Sequence, residues 1–129
     1  MGLFSGFKKS INMAKYATEL EIVIDAYTRK IPASFSNGKI ASELVSASWE
    51  NNSDIFDNEL GGKPDKYTVI TTSLSECIHR PDLNKGEKHL LMVALGDIIK
   101  QLEETNFSGY SSTDRALILQ AKKVFMNFK

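Results

Sequence analysis

The chain has 129 residues, of which 42% are hydrophobic and 25% charged, a composition that excludes a wholly disordered protein and favours one globular domain. Its 16 Lys and Arg side chains balance 16 Asp and Glu side chains, so the formal net charge is +0. Because proteins that bind nucleic acid usually carry a basic excess, this balance argues against a nucleic-acid partner.

Cysteine content and hydropathy indicate a compartment. The single cysteine, Cys77, has no second cysteine with which to form an internal disulfide, which fits a reducing environment. No apolar run approaches the ~20 residues that a membrane-spanning helix requires. The first residues lack the order of a secretory signal, because their lysines follow the apolar side chains. We therefore expect a cytoplasmic protein.

Residues 1–9, here called the N-terminal arm, stand apart from the rest of the chain. The arm combines large apolar side chains with two lysines: Leu3, Phe4, Phe7, Lys8 and Lys9. On a helical wheel their apolar stripe points away from that of the next segment, so we expect an arm at 1–9 and a helical domain at 10–129. The arm either folds over the end of the domain or contacts a partner protein or a membrane surface.

Two amphipathic segments follow the arm. Apolar residues keep helical spacing through residues 10–30, and Pro32 ends that pattern. A second pattern covers residues 38–60 and stops at Gly61. Within it, the polar string 50–54 leaves two interpretations open, one continuous helix or a helix divided by a kink.

Residues 66–79 are ambiguous between helix and strand. Consecutive β-branched residues, Thr68 to Thr72, favour a strand by propensity. Tyr67, Ile70, Leu74 and Cys77 nevertheless keep helical spacing, and strand alternation fails after a few residues. Because packing often overrides propensity, we predict a helix, with Asp65 as its N-cap.

The widest apolar arc belongs to residues 86–105. It covers about half of the helical cylinder, more than the roughly 100° that one contact surface needs, so we predict that this helix is the centre of the bundle. The apolar side comprises Leu90, Leu91, Ala94, Leu95, Ile98, Ile99 and Leu102, and the opposite side includes His89, Val93, Gly96 and Asp97.

A final helix is predicted over residues 113–128. A turn precedes it, in which Gly109 is free to adopt a positive φ, and Ser112 or Thr113 is the expected N-cap. Together the patterns predict an all-α, single-domain bundle of about five helices, at 10–30, 38–60, 66–79, 86–105 and 113–128.

Few residues form a pattern that indicates a catalytic or metal-binding site. Glu76 and His79 have the E-x-x-H spacing of half a di-iron carboxylate site, but the second half is missing. Adding His89 and Asp82 assembles a mixed set of ligands only if the intervening loop brings them close. Cys77 lies on the apolar stripe and is better explained as a small core residue than as a nucleophile. We therefore expect no catalytic residue, no metal and no cofactor.

Three functional hypotheses remain. The leading one is a non-catalytic protein–protein interaction module, an adaptor, inhibitor or regulator, whose partner is unknown. The alternative is a peripheral membrane protein anchored by the N-terminal arm. The third is an enzyme or ligand carrier with a site near Glu76, His79 and His89.

Overall fold

The computed structural model describes residues 3–28, 37–59, 65–105 and 109–128. Within these ranges the chain is all-α and contains no strand. The helices are α1 (Leu3–Thr28), α2 (Asn37–Asn51), α3 (Lys66–Glu76), α4 (Lys85–Glu104) and α5 (Ser112–Phe128). A π-helical turn, Asp54–Glu59, follows α2, and a 3₁₀ turn, Cys77–His79, follows α3. The predicted bundle of about five helices is confirmed.

The start of α1 differs from prediction, and the end of α2 decides between the two alternatives left open for residues 38–60. Helix α1 begins at Leu3 and not at residue 10, so residues 3–9 of the arm belong to the first helix. The segment predicted at 38–60 is divided, because α2 ends at Asn51 and a π-helical turn follows. The predicted stops at Pro32 and Gly61 lie outside the described residues.

Helix starts are fixed by side-chain caps. Asp65 caps α3 as predicted, accepting a hydrogen bond from the Tyr67 backbone N–H at 2.8 Å. Asn84 and Glu87 form a reciprocal capping box at the start of α4. At α5 the predicted caps, Ser112 and Thr113, are one or two positions late, because Ser111 Oγ accepts from the Asp114 N–H at 3.0 Å.

Helix α3, and not α4, occupies the centre of the bundle. It packs against α1, α2, α4 and α5, whereas α4 packs against α1, α3 and α5. Every residue of α3 from Thr68 to Ser75 is buried. The prediction of α4 as the central helix was wrong because a wide apolar arc is not the only route to full burial. Small hydroxyl side chains can also face neighbouring helices on all sides.

Three of the five serine and threonine hydroxyl groups between Thr68 and Ser75 have hydrogen-bond partners. Thr71 Oγ1 donates to the Tyr67 carbonyl at 2.8 Å, and Ser75 Oγ donates to the Thr72 carbonyl at 2.7 Å. Thr68 Oγ1 instead donates across the core to Asp114 Oδ1 on α5, at 2.7 Å. These bonds satisfy polar groups that would otherwise destabilise the core.

The aromatic part of the core lies between α1, α2 and the π-helical turn. Trp49 is 1% exposed, stacks on Tyr16 at a centroid distance of 6.4 Å, and meets the Phe56 ring edge-on at 5.2 Å. Trp49 is therefore a core residue and not part of an open pocket. Among the described helices, none is both long enough and apolar enough to cross a membrane.

Candidate functional site

An apolar groove runs between α4 and α5, and its floor depends on a glycine. A Cβ atom at Gly96 would lie only 2.6 Å from Phe125 Cζ, closer than real Cβ contacts allow. The missing side chain therefore lets the Phe125 ring pack directly on the backbone of α4. This α4–α5 groove has a volume of about 350 Å³ and is lined by His89, Met92, Val93, Gly96, Asp97, Phe125 and Phe128.

Polar contacts hold the walls of the groove in place. The His89 ring stacks on Phe128 at a centroid distance of 6.5 Å. On the opposite side, Tyr27 of α1 donates a hydrogen bond to Asp97 Oδ2 at 2.9 Å. That hydrogen bond, together with partial burial, raises the pKa of Tyr27. Farther along the helices, Lys122 of α5 pairs with Glu103 of α4 at 2.5 Å.

Apolar side chains extend from the groove onto the surface of α4. Val93 is 37% exposed and Leu90, one turn away, is 41% exposed. The prediction that Leu90 contributes to the apolar side facing the core was wrong, because its side chain lies at the edge of that arc, beside the exposed strip. Leu90, Val93 and the groove therefore form one apolar area on an otherwise polar helix face.

A second cavity differs in character and is here called the polar cavity. It has a volume of about 240 Å³ and lies between the end of α2, α3 and α5. Its polar lining is provided mainly by Asn51, Asn52, Thr72, Ser75, Glu76 and Gln120. Leu117, Ala121 and Val124 of α5 supply an apolar wall.

The candidate residues of the third hypothesis are divided between these two sites. Glu76 and His79 both line the polar cavity, so their E-x-x-H spacing does bring them together. Glu76 is half-buried and His79 is exposed. His89 lines the α4–α5 groove instead. Within the ranges that the structure describes, no three His, Cys, Asp or Glu side chains cluster closely enough to hold a metal ion.

Cys77 occupies a position that suits a structural role. Its side chain is fully buried at the end of α3, and burial raises the pKa of the thiol to about 12. Because the thiolate is the nucleophilic form, a thiol with this pKa is unreactive at neutral pH. The sequence-based assignment of Cys77 to the core is consistent with this environment.

Arg80 connects the loop after α3 to α2. Its guanidinium donates to Asp82, with Nε at 2.7 Å from Oδ1, and also pairs with Glu43 of α2. The hydrogen bond to Asp82 is the main cause of the raised pKa of Arg80, and it lowers the pKa of Asp82 in turn. Both acidic partners are therefore committed to holding the loop, and Arg80 is not a free cation.

The role of the N-terminal arm as a contact surface for a partner or a membrane stays a prediction. Its candidate contact residues all precede residue 11, and their side chains lie outside the described ones: Leu3, Phe4, Phe7, Lys8 and Lys9.

The groove was not predicted, although two features of the sequence indicate it. Val93 is apolar on the polar side of α4, and Gly96 interrupts a helix where glycine costs about 1 kcal/mol relative to alanine. A glycine inside a helical pattern often marks a close approach of another element. The sequence gives no sign that the approaching element is the Phe125 ring, which is 29 positions away in the chain.

The described residues form a small helical bundle whose surface includes an apolar groove and a polar cavity. No protein-family model, no curated protein and no solved structure matches the chain.

Proposed function

We propose that this protein is a non-catalytic interaction module that binds an amphipathic helix of a partner protein in the α4–α5 groove. The observation that carries the proposal is the continuous apolar area formed by the groove with Leu90 and Val93. A contiguous apolar area rimmed by polar residues is typical of a protein–protein contact.

The shape of the groove favours a helical partner. Its walls are two helices, and an apolar helix face placed in such a groove inserts side chains at i, i+3, i+4 and i+7. Phe125 and Phe128 offer aromatic surfaces for an apolar anchor residue, the kind of contact that dominates interface energetics. At the rim, His89 and Asp97 provide polar groups that can fix the orientation of the bound helix.

A matched pair of surface variants tests this proposal. Val93→Asp places a charge in the apolar area, whereas Leu119→Asp places the same charge on α5, at a residue that is 46% exposed and does not line the groove. The wild type and both variants are used as baits in native lysate, with far-UV circular dichroism to confirm that each is folded. A partner retained by wild type and by Leu119→Asp, but lost with Val93→Asp, supports the proposal.

The same experiment can overturn the proposal. If the two variants capture the same proteins as wild type in the same amounts, the groove is not a binding site. A bait that lacks the N-terminal arm separates the groove from the arm, because loss of capture with that bait alone would assign binding to residues 1–9. A captured partner that depends on Val93 must then shift NMR resonances of groove residues when it is added as a purified peptide.

A further inference from the structure

The polar cavity contains a buried hydroxyl group that has no partner. Thr72 is 7% exposed, and no described residue lies within hydrogen-bonding distance and geometry of its Oγ1. Thr18, Thr28 and Thr71 behave differently, since each donates to the backbone carbonyl four residues earlier. Buried polar groups in folded proteins are almost always hydrogen-bonded, so an unpaired hydroxyl that lines a cavity indicates an occupant.

The charge of the cavity indicates which kind of ligand it binds. Glu76 is the only Asp, Glu, Lys or Arg among the described residues that line it. None of the ion pairs between described residues involves Glu76. A half-buried carboxylate without a cationic partner favours a positively charged ligand and repels an anion.

The lining also indicates the shape of that ligand. The side-chain carbonyl oxygens of Asn51 and Gln120 are hydrogen-bond acceptors, as is the Thr72 hydroxyl, and an ammonium group has three N–H donors to offer them. The opposite wall, built from Leu117, Ala121 and Val124, suits an aliphatic chain. A metal ion does not fit this set, because Glu76 and His79 are the only lining residues of the types that commonly bind metals tightly.

We infer that the polar cavity binds a small aliphatic primary amine in its ammonium form, with Glu76 and Thr72 contacting the ammonium group. The inference does not depend on the proposed function, because the polar cavity and the α4–α5 groove share no lining residue. Failure of one experiment therefore leaves the other site untouched.

Titration with n-butylammonium, followed by ¹H–¹⁵N NMR of the full chain, tests the inference. The expected result is a saturable shift of the side-chain amide resonances of Asn51, Asn52 and Gln120 at concentrations up to about 50 mM. Butan-1-ol and butyrate are the matched control ligands, since they keep the chain while replacing the cation with a neutral group and an anion. Neither control ligand is expected to produce a saturable shift.

Three variants locate the contact. Glu76→Gln is expected to weaken butylammonium binding at least about tenfold, because a charge-assisted hydrogen bond is lost. Thr72→Val removes the hydroxyl at nearly constant volume and is expected to weaken binding as well, which keeps the test decisive if Glu76→Gln fails to fold. Glu104→Gln, at the exposed end of α4, is the control and is expected to leave binding unchanged.

Two outcomes would overturn the inference. If butanol shifts the same resonances with equal affinity, the cavity is an apolar hole and the carboxylate is irrelevant. If butylammonium causes no saturable shift, the cavity is not an amine site, and ordered water is the hydrogen-bond partner of the Thr72 hydroxyl. Equal affinity in wild type and in both cavity variants would likewise place the amine elsewhere on the protein.

Discussion

Helices α3 and α4 pack against each other but differ in how they are buried. Helix α3 is buried at every position from Thr68 to Ser75, and five of these eight residues are serine or threonine. Helix α4 buries large aliphatic residues on one side and leaves Leu90, Val93 and Asp97 exposed on another. Because small hydroxyl side chains occupy little volume, α3 can be approached by four helices at once.

The difference between these helices affects which surfaces line cavities. Helix α3 lines the polar cavity through Thr72, Ser75 and Glu76, toward its C-terminal end. Helix α4, which is buried on one side only, retains an accessible face that forms the groove with α5. The central helix is therefore mainly buried, whereas α4 keeps an accessible face beside α5.

The test with the largest expected effect places a lysine on each of these two helices. Ser73 is 0% exposed, so Ser73→Lys buries an unpaired charge or breaks the packing, and we expect a loss of at least about 4 kcal/mol in the free energy of unfolding. Val93→Lys lies on the accessible face of α4 and should change that free energy by less than about 1 kcal/mol. Urea denaturation monitored by far-UV circular dichroism measures both values. Equal costs at the two positions would contradict the assignment of α3 as the central helix.

The next test removes the hydrogen bond that joins α3 to α5. Asp114→Ala leaves the buried Thr68 hydroxyl without its acceptor and also removes the Ser111–Asp114 contact at the start of α5. We expect a loss of about 3 kcal/mol in the free energy of unfolding, since Thr68 then becomes an unsatisfied buried donor.

Ser111→Ala is the matched control for Asp114→Ala. It removes the cap but leaves the Thr68–Asp114 bond, and the expected loss is about 1 kcal/mol. Chemical denaturation of both variants gives the comparison. Similar losses would mean that Asp114 acts through the helix cap alone and does not support α3.

The smallest expected effect is the pH dependence of the free energy of unfolding that arises from the Cys77 thiol at the end of α3. The ordinary pKa of the thiol is 9.0, and burial raises it to about 12 in the folded protein. Between these values the unfolded chain loses the Cys77 proton while the folded chain keeps it. The free energy of unfolding therefore falls as pH rises, by up to about 1.4 kcal/mol per pH unit. The contribution of the buried thiol to stability is fully present only below the lower of the two pKa values.

Comparison of wild type with Cys77→Ala separates the effect of the thiol from that of other titrating groups. Burial also raises the pKa of Tyr16 and Tyr110, so alkaline pH weakens the fold through them as well. We expect wild type to lose more stability than Cys77→Ala from about pH 8 to about pH 10, measured by urea denaturation at each pH. Identical slopes would show that the thiol is accessible to solvent in the folded state.

Much of the fold was predictable from local patterns. Helical spacing of Tyr67, Ile70, Leu74 and Cys77 correctly outweighed the strand propensity of the intervening threonines. Asp65 was recognisable as an N-cap, and Gly109 adopts the positive φ of 85° that only glycine takes easily. These features depend on neighbours within a few residues, so the sequence contains the relevant information.

The tertiary structure alone decided which helix is central and where the α4–α5 groove and the polar cavity lie. Both answers depend on pairs distant in the chain, such as Gly96 with Phe125 and Thr68 with Asp114. A helical wheel reports how apolar each face is, but not how many helices approach it. The sequence by itself determined an all-α bundle because periodicity is a local property, whereas burial and cavities arise from the arrangement of whole helices.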